Sequence, residues 1–337
     1  MTDLLRIGVS ACLLGREVRF DGQHKRDSFL VDDLGPFVEF VAVCPEVEVG
    51  MTIPRETLRL VRGDKNPTDT NLIAPRSGDD WTSRMTAFSR HRVKLLAREQ
   101  LSCYVLKKDS PSCGLLRVKR YAAPDAAAPD AETPGTKSPG ANTPPARDGQ
   151  GLFAAELQRA FPHLPIEEEG RLCDPKLREN FIERIFAYHR LQNLWATRWT
   201  QRSLIDFHTT HKMALLAHDE PGYRQLGRLV AQGKSLPRQD LRDRYESGFM
   251  TALTKLATPG RHVNVMTHML GHFSERLEPT ARNEILGVLE DHRRGIVPLI
   301  VPLTLIRHYV RLLKVDYLLG QTYLDPHPKE LMLRNRV

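Results

Sequence analysis

Apolar residues in this chain follow two different rhythms. In the first third they come as short blocks at Leu5–Ser10, Phe37–Val43 and Cys103–Lys107, rich in β-branched and aromatic side chains and closed by turn-forming or polar residues. Blocks of that length and composition predict buried strands. Between the second and third, Trp81, Met85, Phe88, Val93, Leu96 and Ala97 recur at helical spacing, which predicts a helix over 81–100 with Asp79 and Asp80 as caps. Residues 25–36 read as a loop with a short helix. Gly151–Leu157 reads as a further helix and Leu164–Glu169 as an edge strand. Strand, connection, strand, helix, strand describes an α/β layer: an open, mainly parallel sheet flanked by helices.

From about Asp174 the period lengthens. Phe181, Ile182, Ile185, Phe186, His189, Leu194 and Trp195 recur at helical intervals, and similar patterns follow at 203–218, 222–233, 239–256, 261–277, 280–293 and 302–319. Strand signals nearly vanish, so the second domain is expected to be all-α. The two domains are placed at residues 1–168 and 169–337. Residues 122–150, dominated by Ala, Pro, Asp and Gly, cannot bury a core and are expected to form a mobile surface insertion within the first domain.

Charge sharpens the division. Residues 1–168 carry 23 Lys+Arg against 23 Asp+Glu, whereas residues 169–337 carry 26 against 18, so the whole net charge of +8 lies in the second half. That asymmetry suggests an anionic partner, nucleic acid first, with a merely solvated basic surface as the equally weighted alternative. The longest apolar run, Ile296–Ile306, holds two prolines and is too short to span a bilayer, so no membrane association is expected. Val9–Cys12 superficially resembles a lipoprotein box, but Asp3 and Arg6 interrupt the stretch before it, which argues against export. Five scattered cysteines, an odd number, suggest no disulfide framework, and a reducing cytoplasm is the expected compartment.

Three of the cysteines stand out. Cys12, Cys44 and Cys113 each lie at or just past the downstream end of a predicted strand, in turn-forming or polar surroundings, and two of them are next to Pro or Gly. In an open parallel sheet such loops converge on one crevice. Three thiols there can hold an iron–sulfur cluster with one iron left open to substrate, or less fittingly a zinc ion, since no histidine accompanies them. Cys103 begins its strand and so belongs at the opposite edge, and Cys173 sits in a connector. Glu46, Ser110 and Ser112 lie close to the thiols in sequence. A carboxylate beside an open metal position can activate water, and hydroxyls can steady a polarised carbonyl or thiocarbonyl. The plain alternatives are an ion pair of Glu46 with Arg55 or Lys107, and turn capping by the serines.

Four segments in order, Ser10–Ala–Cys–Leu–Leu–Gly–(x)3–Arg19–Phe–Asp–Gly22, Cys44–Pro–Glu46, Ile53–Pro–Arg55 and Leu106–Lys–(x)2–Ser110–Pro–Ser–Cys–Gly114, resemble the thiouracil desulfidase (TudS) family over roughly residues 4–168. The resemblance implies a [4Fe–4S] cluster held by Cys12, Cys44 and Cys113 whose fourth iron binds the sulfur of a thiolated pyrimidine, with acid/base and hydrogen-bonding roles falling on Glu46 and Ser110. The second half resembles the YbgA-like helical domain through Arg178–Arg184, Phe207–Lys212, Arg261–Asn264 and Val297–Pro302. The fused arrangement looks like the tRNA 4-thiouridine desulfidases, in which the helical domain is thought to hold the tRNA. The long insertion departs from that pattern but follows Cys113 and leaves the motifs intact.

Ten of the thirteen histidines follow residue 168. His208–(x)2–His211 and His268–(x)3–His272 have helical spacing compatible with metal ligation, yet core hydrogen bonds or phosphate contacts fit better. Lys212, Arg224, Arg228, Arg238, Arg242, Arg244, Arg261 and His262 are the candidate tRNA contacts. The function expected is non-redox, [4Fe–4S]-dependent desulfuration of 4-thiouridine in tRNA to uridine, releasing hydrosulfide. The rival enzyme reading uses free thiouracil or the thiouridine mononucleotide, and the non-enzyme reading is an iron–sulfur redox sensor that binds nucleic acid. No obligatory protein partner is evident.

Overall fold

The first unit, Met1–Leu172, runs β1 (Leu5–Ser10), β2 (Val38–Val43), α1 (Pro45–Glu48), β3 (Arg59–Arg62), β4 (Thr70–Ile73), α2 (Thr82–Leu96), β5 (Cys103–Leu106), β6 (Val118–Tyr121), β7 (Ala146–Gly149), α3 (Leu152–Ala160) and β8 (Ile166–Glu168). The structure, a computed structural model, describes residues 5–63, 69–122 and 144–335.

The central sheet has the order β2-β1-β5-β8 and every pairing in it is parallel. Ile7 and Val9 of β1 face the core, fully buried, opposite Cys103 and Val105 of β5. The expected strands and edge strand are therefore present and the α/β expectation holds. Gly8 is needed here, because a Cβ would lie 2.2 Å from the Tyr104 ring, which packs against the strand. Since all four strands run the same way, the turns after β1, β2 and β5 leave one end of the sheet together.

A second four-stranded sheet, order β4-β3-β6-β7, was not expected from the sequence. It is mixed: β3 pairs antiparallel with β4 and parallel with β6, and β6 antiparallel with β7. Leu60, Leu72 and Val118 from this sheet pack with Met51, Leu58, Ala74 and Met85 in one buried cluster. Helix α2 buries Met85, Val93 and Leu96 of the expected stripe together with Ser89, while Trp81 and Phe88 are half-buried and Ala97 is exposed. Asp80 Oδ1 accepts from the Thr82 backbone N–H at 2.8 Å at its start. The helix stops at Leu96, short of the expected residue 100, and a turn follows in which Gln100 is left-handed (φ 50°). The stretch 122–150 also needs correction. Residues 123–143 lie outside the described residues, but Ala146–Gly149 form β7, so the end of that stretch belongs to a sheet rather than to a coreless surface loop.

The second unit, Cys173–Val337, is helical throughout its described residues: α4 (Pro175–Ala196), α5 (Gln201–Thr210), α6 (Lys212–His218), α7 (Glu220–Ala231), α8 (Arg238–Leu253), α9 (Pro259–Gly271), α10 (Pro279–Arg293), α11 (Ile300–Leu312) and α12 (Asp316–Leu319). Helix α4 begins on Asp174, whose carboxylate accepts from the Lys176 and Leu177 N–H groups, with Pro175 in the first turn. The periodic stretch 203–218 is two helices, broken at His211, and 302–319 is likewise split, with Lys314 left-handed (φ 48°) between the parts. Two buried clusters form the core, one around Leu191, Leu204, Leu241, Tyr245 and Phe249, the other around Met266, Met269, Ile285, Leu303, Ile306 and Tyr323. No helix among the described residues is long and apolar enough to cross a membrane.

The core also buries charge. Glu183 Oε2 lies 3.4 Å from His218 Nε2 and 3.7 Å from Arg334 Nη2, and Arg334 also reaches Glu179 at 3.2 Å. Burial alone would neutralise Glu183, but His218 and Arg334 hold its carboxyl well below the ordinary range. Burial likewise opposes the charge on His218, and Glu183 outweighs it, so that pKa is raised.

Candidate functional site

The three strand-end turns build one cavity of about 460 Å³ in the first unit. Cys12 sits in the short turn of helix that follows β1, closed by left-handed Gly15 (φ 86°). Cys44 caps α1 after β2, and Cys113 lies in the turn beyond β5. All three thiols line the cavity with Glu46 and Ser110. The sequence expectation that these residues meet is what the geometry gives. Cys103, at the start of β5, is fully buried and does not line it, and Cys173 is exposed.

The cavity walls are set by a few hydrogen bonds. Ser110 Oγ accepts from the backbone N–H of Cys113 at 3.1 Å and of Ser112 at 3.3 Å, which folds the turn around the third thiol. Gly151 locks that turn from behind: its N–H donates to the Gly114 carbonyl at 2.8 Å, and a Cβ there would lie 2.4 Å from the Ser112 carbonyl oxygen. Ser10 Oγ accepts from the Lys107 N–H at 3.0 Å, joining β1 to the end of β5. Lys107 itself pairs with Glu169 rather than with Glu46.

Glu46 is held from both sides. Its Oε2 accepts from Arg55 Nη2 at 2.6 Å and Nε at 2.9 Å, and its Oε1 accepts from Ser112 Oγ at 2.9 Å. The Arg55 side chain is 5% exposed and also donates to the Val18 carbonyl at 3.0 Å, the same oxygen that the Cys44 thiol approaches at 3.7 Å. One guanidinium thus ties the segment after Cys12 to the turn that carries Cys44 and Glu46. Two readings of the sequence change. Ser112, expected to act at the reacting atoms, is fully buried and does not line the cavity, so it orients Glu46 from behind. Arg55, expected at most as a simple ion-pair partner, is the principal organiser of the wall, and its place in the Ile53–Pro–Arg55 segment was the available signal.

The thiols carry an electrostatic signature. Burial pushes Cys12 up to about 11 and raises Cys44 and Cys113 as well. Cys44 raises both of the others further, as neighbouring thiolates do when packed together, while a hydrogen bond with Ser10 works the other way at Cys113. Such a trio becomes fully thiolate only against strong positive charge. Three thiols line one cavity with no histidine among its lining residues. That all-sulfur donor set is the kind that holds an iron–sulfur cluster.

In the second unit the candidate tRNA contacts scatter. Arg228 and Arg244 line a groove of about 460 Å³ between α7 and α8. Arg224 is exposed and pairs with Glu220 at 2.6 Å, and Arg244 approaches Asp240 at 3.5 Å. Arg238 and Arg242 lie over the Trp199 and Trp195 rings at 4.5 and 5.6 Å. Arg261 donates to the His218 carbonyl at 2.6 Å. Lys212 lies 5.8 Å from the centre of the Tyr223 ring. His262 must be withdrawn from the surface set: it is buried, hydrogen-bonded to the Tyr323 hydroxyl at 2.8 Å, and lowered by burial to about 3. His208 and His211 are core residues too, the first bonded to the Tyr245 hydroxyl at 3.1 Å, the second stacked on Phe207 at 4.1 Å.

Comparison with known proteins places both halves. Residues 7–169 match the family model for 2-thiouracil desulfurase, and residues 212–328 match that for a domain of unknown function, DUF1722. The chain is 36% identical over 160 residues to the uncharacterized protein YbgA of Escherichia coli K12, covering 47% of this chain and 94% of that protein. It is 32% identical over 111 residues to the uncharacterized protein YbbK of Bacillus subtilis 168, covering 32% of this chain and 71% of that one. A solved structure of the [4Fe-4S]-dependent thiouracil desulfidase TudS is 29% identical and covers 50% of this chain and 93% of its own, with a TM-score of 0.36. The chain belongs to the 2-thiouracil desulfurase family, in a form fused to a YbgA-like helical domain.

Proposed function

We propose that the protein removes sulfur from 4-thiouridine in tRNA, giving uridine and hydrosulfide, with a [4Fe–4S] cluster held by Cys12, Cys44 and Cys113. The observation that carries this reading is the meeting of three thiols with a doubly held carboxylate in one cavity. When bound, the cluster would supply a Lewis-acidic iron for the thiocarbonyl sulfur. The remaining work falls to side chains. Glu46 lies at the wall with one oxygen on Arg55 and the other on Ser112, so its lone pairs point in fixed directions. It takes a proton from the water that attacks C4 and returns it as the sulfur leaves. Ser110 uses its oxygen on backbone N–H groups, which leaves its own proton to give to the pyrimidine. Water adds, hydrosulfide departs, and no electrons are exchanged. A base in tRNA must leave its stack to enter such a cavity, and the net +8 of the second half supplies attraction for the backbone.

The test is anaerobic reconstitution followed by incubation with thiolated tRNA. Loss of the thiobase absorbance with formation of hydrosulfide is expected. Unchanged absorbance with an intact cluster rejects the activity. Rates on the thiouridine mononucleotide measured alongside separate tRNA from small-molecule substrates.

A further inference from the structure

The pair His268–(x)3–His272, unused by the chemistry above, opens a row of rings across α6, α7, α9 and α12. The His268 and His272 rings are 5.5 Å apart, and His272 lies 5.0 Å from Tyr317. The Lys212 ammonium sits 5.8 Å from the Tyr223 ring centre, and both Tyr223 and Tyr317 lie near enough to act on its charge. Tyr223 lies parallel to buried His208, with ring centres 6.0 Å apart. His268 and His272 are exposed, and Lys212, Tyr223 and Tyr317 are half-buried. Lys212 makes no ion pair with a carboxylate among the described residues. Partial burial works against its charge, yet the two hydroxyls keep its pKa above the ordinary value.

The geometry points to this row as a stacking platform for unpaired nucleotides, with Lys212 taking a phosphate between them. It rests on the RNA-substrate reading above. Single-stranded RNA is recognised by laying bases on aromatic faces while cations track the backbone. An uncompensated ammonium between two tyrosines, continued by two accessible imidazoles, offers both functions on one strip. The same strip also deepens the role of the helical unit: it would hold strand already unpaired, the form in which a modified base can reach a cavity.

The probe is a single-stranded oligouridylate against a duplex RNA of equal length, titrated with the full-length protein at fixed salt. Wild type is expected to prefer the single strand. Tyr317→Ala and Lys212→Gln should each weaken that binding roughly tenfold, and Tyr317→Phe should retain most of it. Arg294→Gln, which removes one exposed charge at the end of α10, should change it by less than about twofold. Melting temperature checks that each variant is folded. Equal affinity for duplex and single strand, unchanged binding in folded Tyr317→Ala, or equal binding of a polyglutamate peptide overturns the platform. Desulfuration of the thiouridine mononucleotide, measured on the same variants, should be unaffected. If wild type desulfurates nothing while the row variants still lose RNA, the enzymatic reading fails and the platform stands.

Discussion

Glu46 and Glu183 are both carboxylates held by an arginine and one further partner, and they do opposite things. Glu46 receives Arg55 and Ser112 but keeps its place on a cavity wall, with 16% of its side chain exposed. Glu183 is 6% exposed, shares Arg334 and His218, lines neither cavity described, and leaves Oε1 without a partner. Removing a charge from water is costly unless partners surround it. In the helical unit the partners come from α4, α6 and the C-terminal segment, so the cluster staples the chain together. At the cavity the partners stop short of enclosing the carboxylate, so its orientation is fixed while one side stays open, as the proposed proton transfer requires. What separates structural from chemical charge here is the open side, not the number of bonds.

The largest effect should come from the three thiols that line the cavity. Cys113→Ala is expected to lose the cluster and all turnover, read as iron content and visible absorption after anaerobic refilling. Full retention of both would mean the cavity carboxylate serves some other centre. Glu46→Gln should lower turnover by about 10²–10⁴ while leaving iron content and melting temperature in place. Glu183→Leu should do the reverse, costing about 3–5 kcal/mol of stability in chemical unfolding with turnover of the mononucleotide intact. If the two variants exchanged phenotypes, the contrast between them would be wrong. Acid provides a gentler probe of the buried side. Burial lowers His208 to about 4 and both His211 and His262 to about 3, from 6.5 when unfolded. Below pH 6.5 the unfolded chain takes up protons that the folded helices refuse, so stability should fall from pH 6.5 toward 4, by up to about 1.4 kcal/mol per pH unit per histidine. His218 opposes this, because its raised pKa gives stability that is complete below pH 6.5 and is lost as pH rises through the raised value. Melting curves at pH 7, 6 and 5 check the net direction, and a flat profile would show that these rings are not buried as described. The smallest effect is Ser112→Ala, expected to lower turnover up to about tenfold by releasing one oxygen of Glu46, with the melting temperature nearly unchanged.

The central sheet was readable because β1, β2 and β5 are short, apolar and buried, and because parallel pairing sends their following turns to one place. The second sheet was not. Its strands are four residues each, and sequences such as Arg–Leu–Val–Arg in β3, with three adjacent buried positions, and Ala–Arg–Asp–Gly in β7, with one, show no alternation long enough to register. The thiols and Glu46 could be proposed from their strand-end positions. Arg55 could not be ranked, since nothing in the residue order tells that one guanidinium spans Val18 and Glu46. His262 misled for a related reason: basic neighbours suggest a surface, but its place on α9 turns it toward Tyr323.

Gly151 has a consequence for how this architecture tolerates change. The residue re-enters immediately under Cys113 and is fastened there through main-chain atoms, in a gap too narrow for any methyl group. The site therefore reads where the polypeptide returns and is indifferent to the path taken since residue 122. Shortening or rewriting residues 123–143 should leave the three thiols in register, whereas a single added carbon at position 151 should displace them.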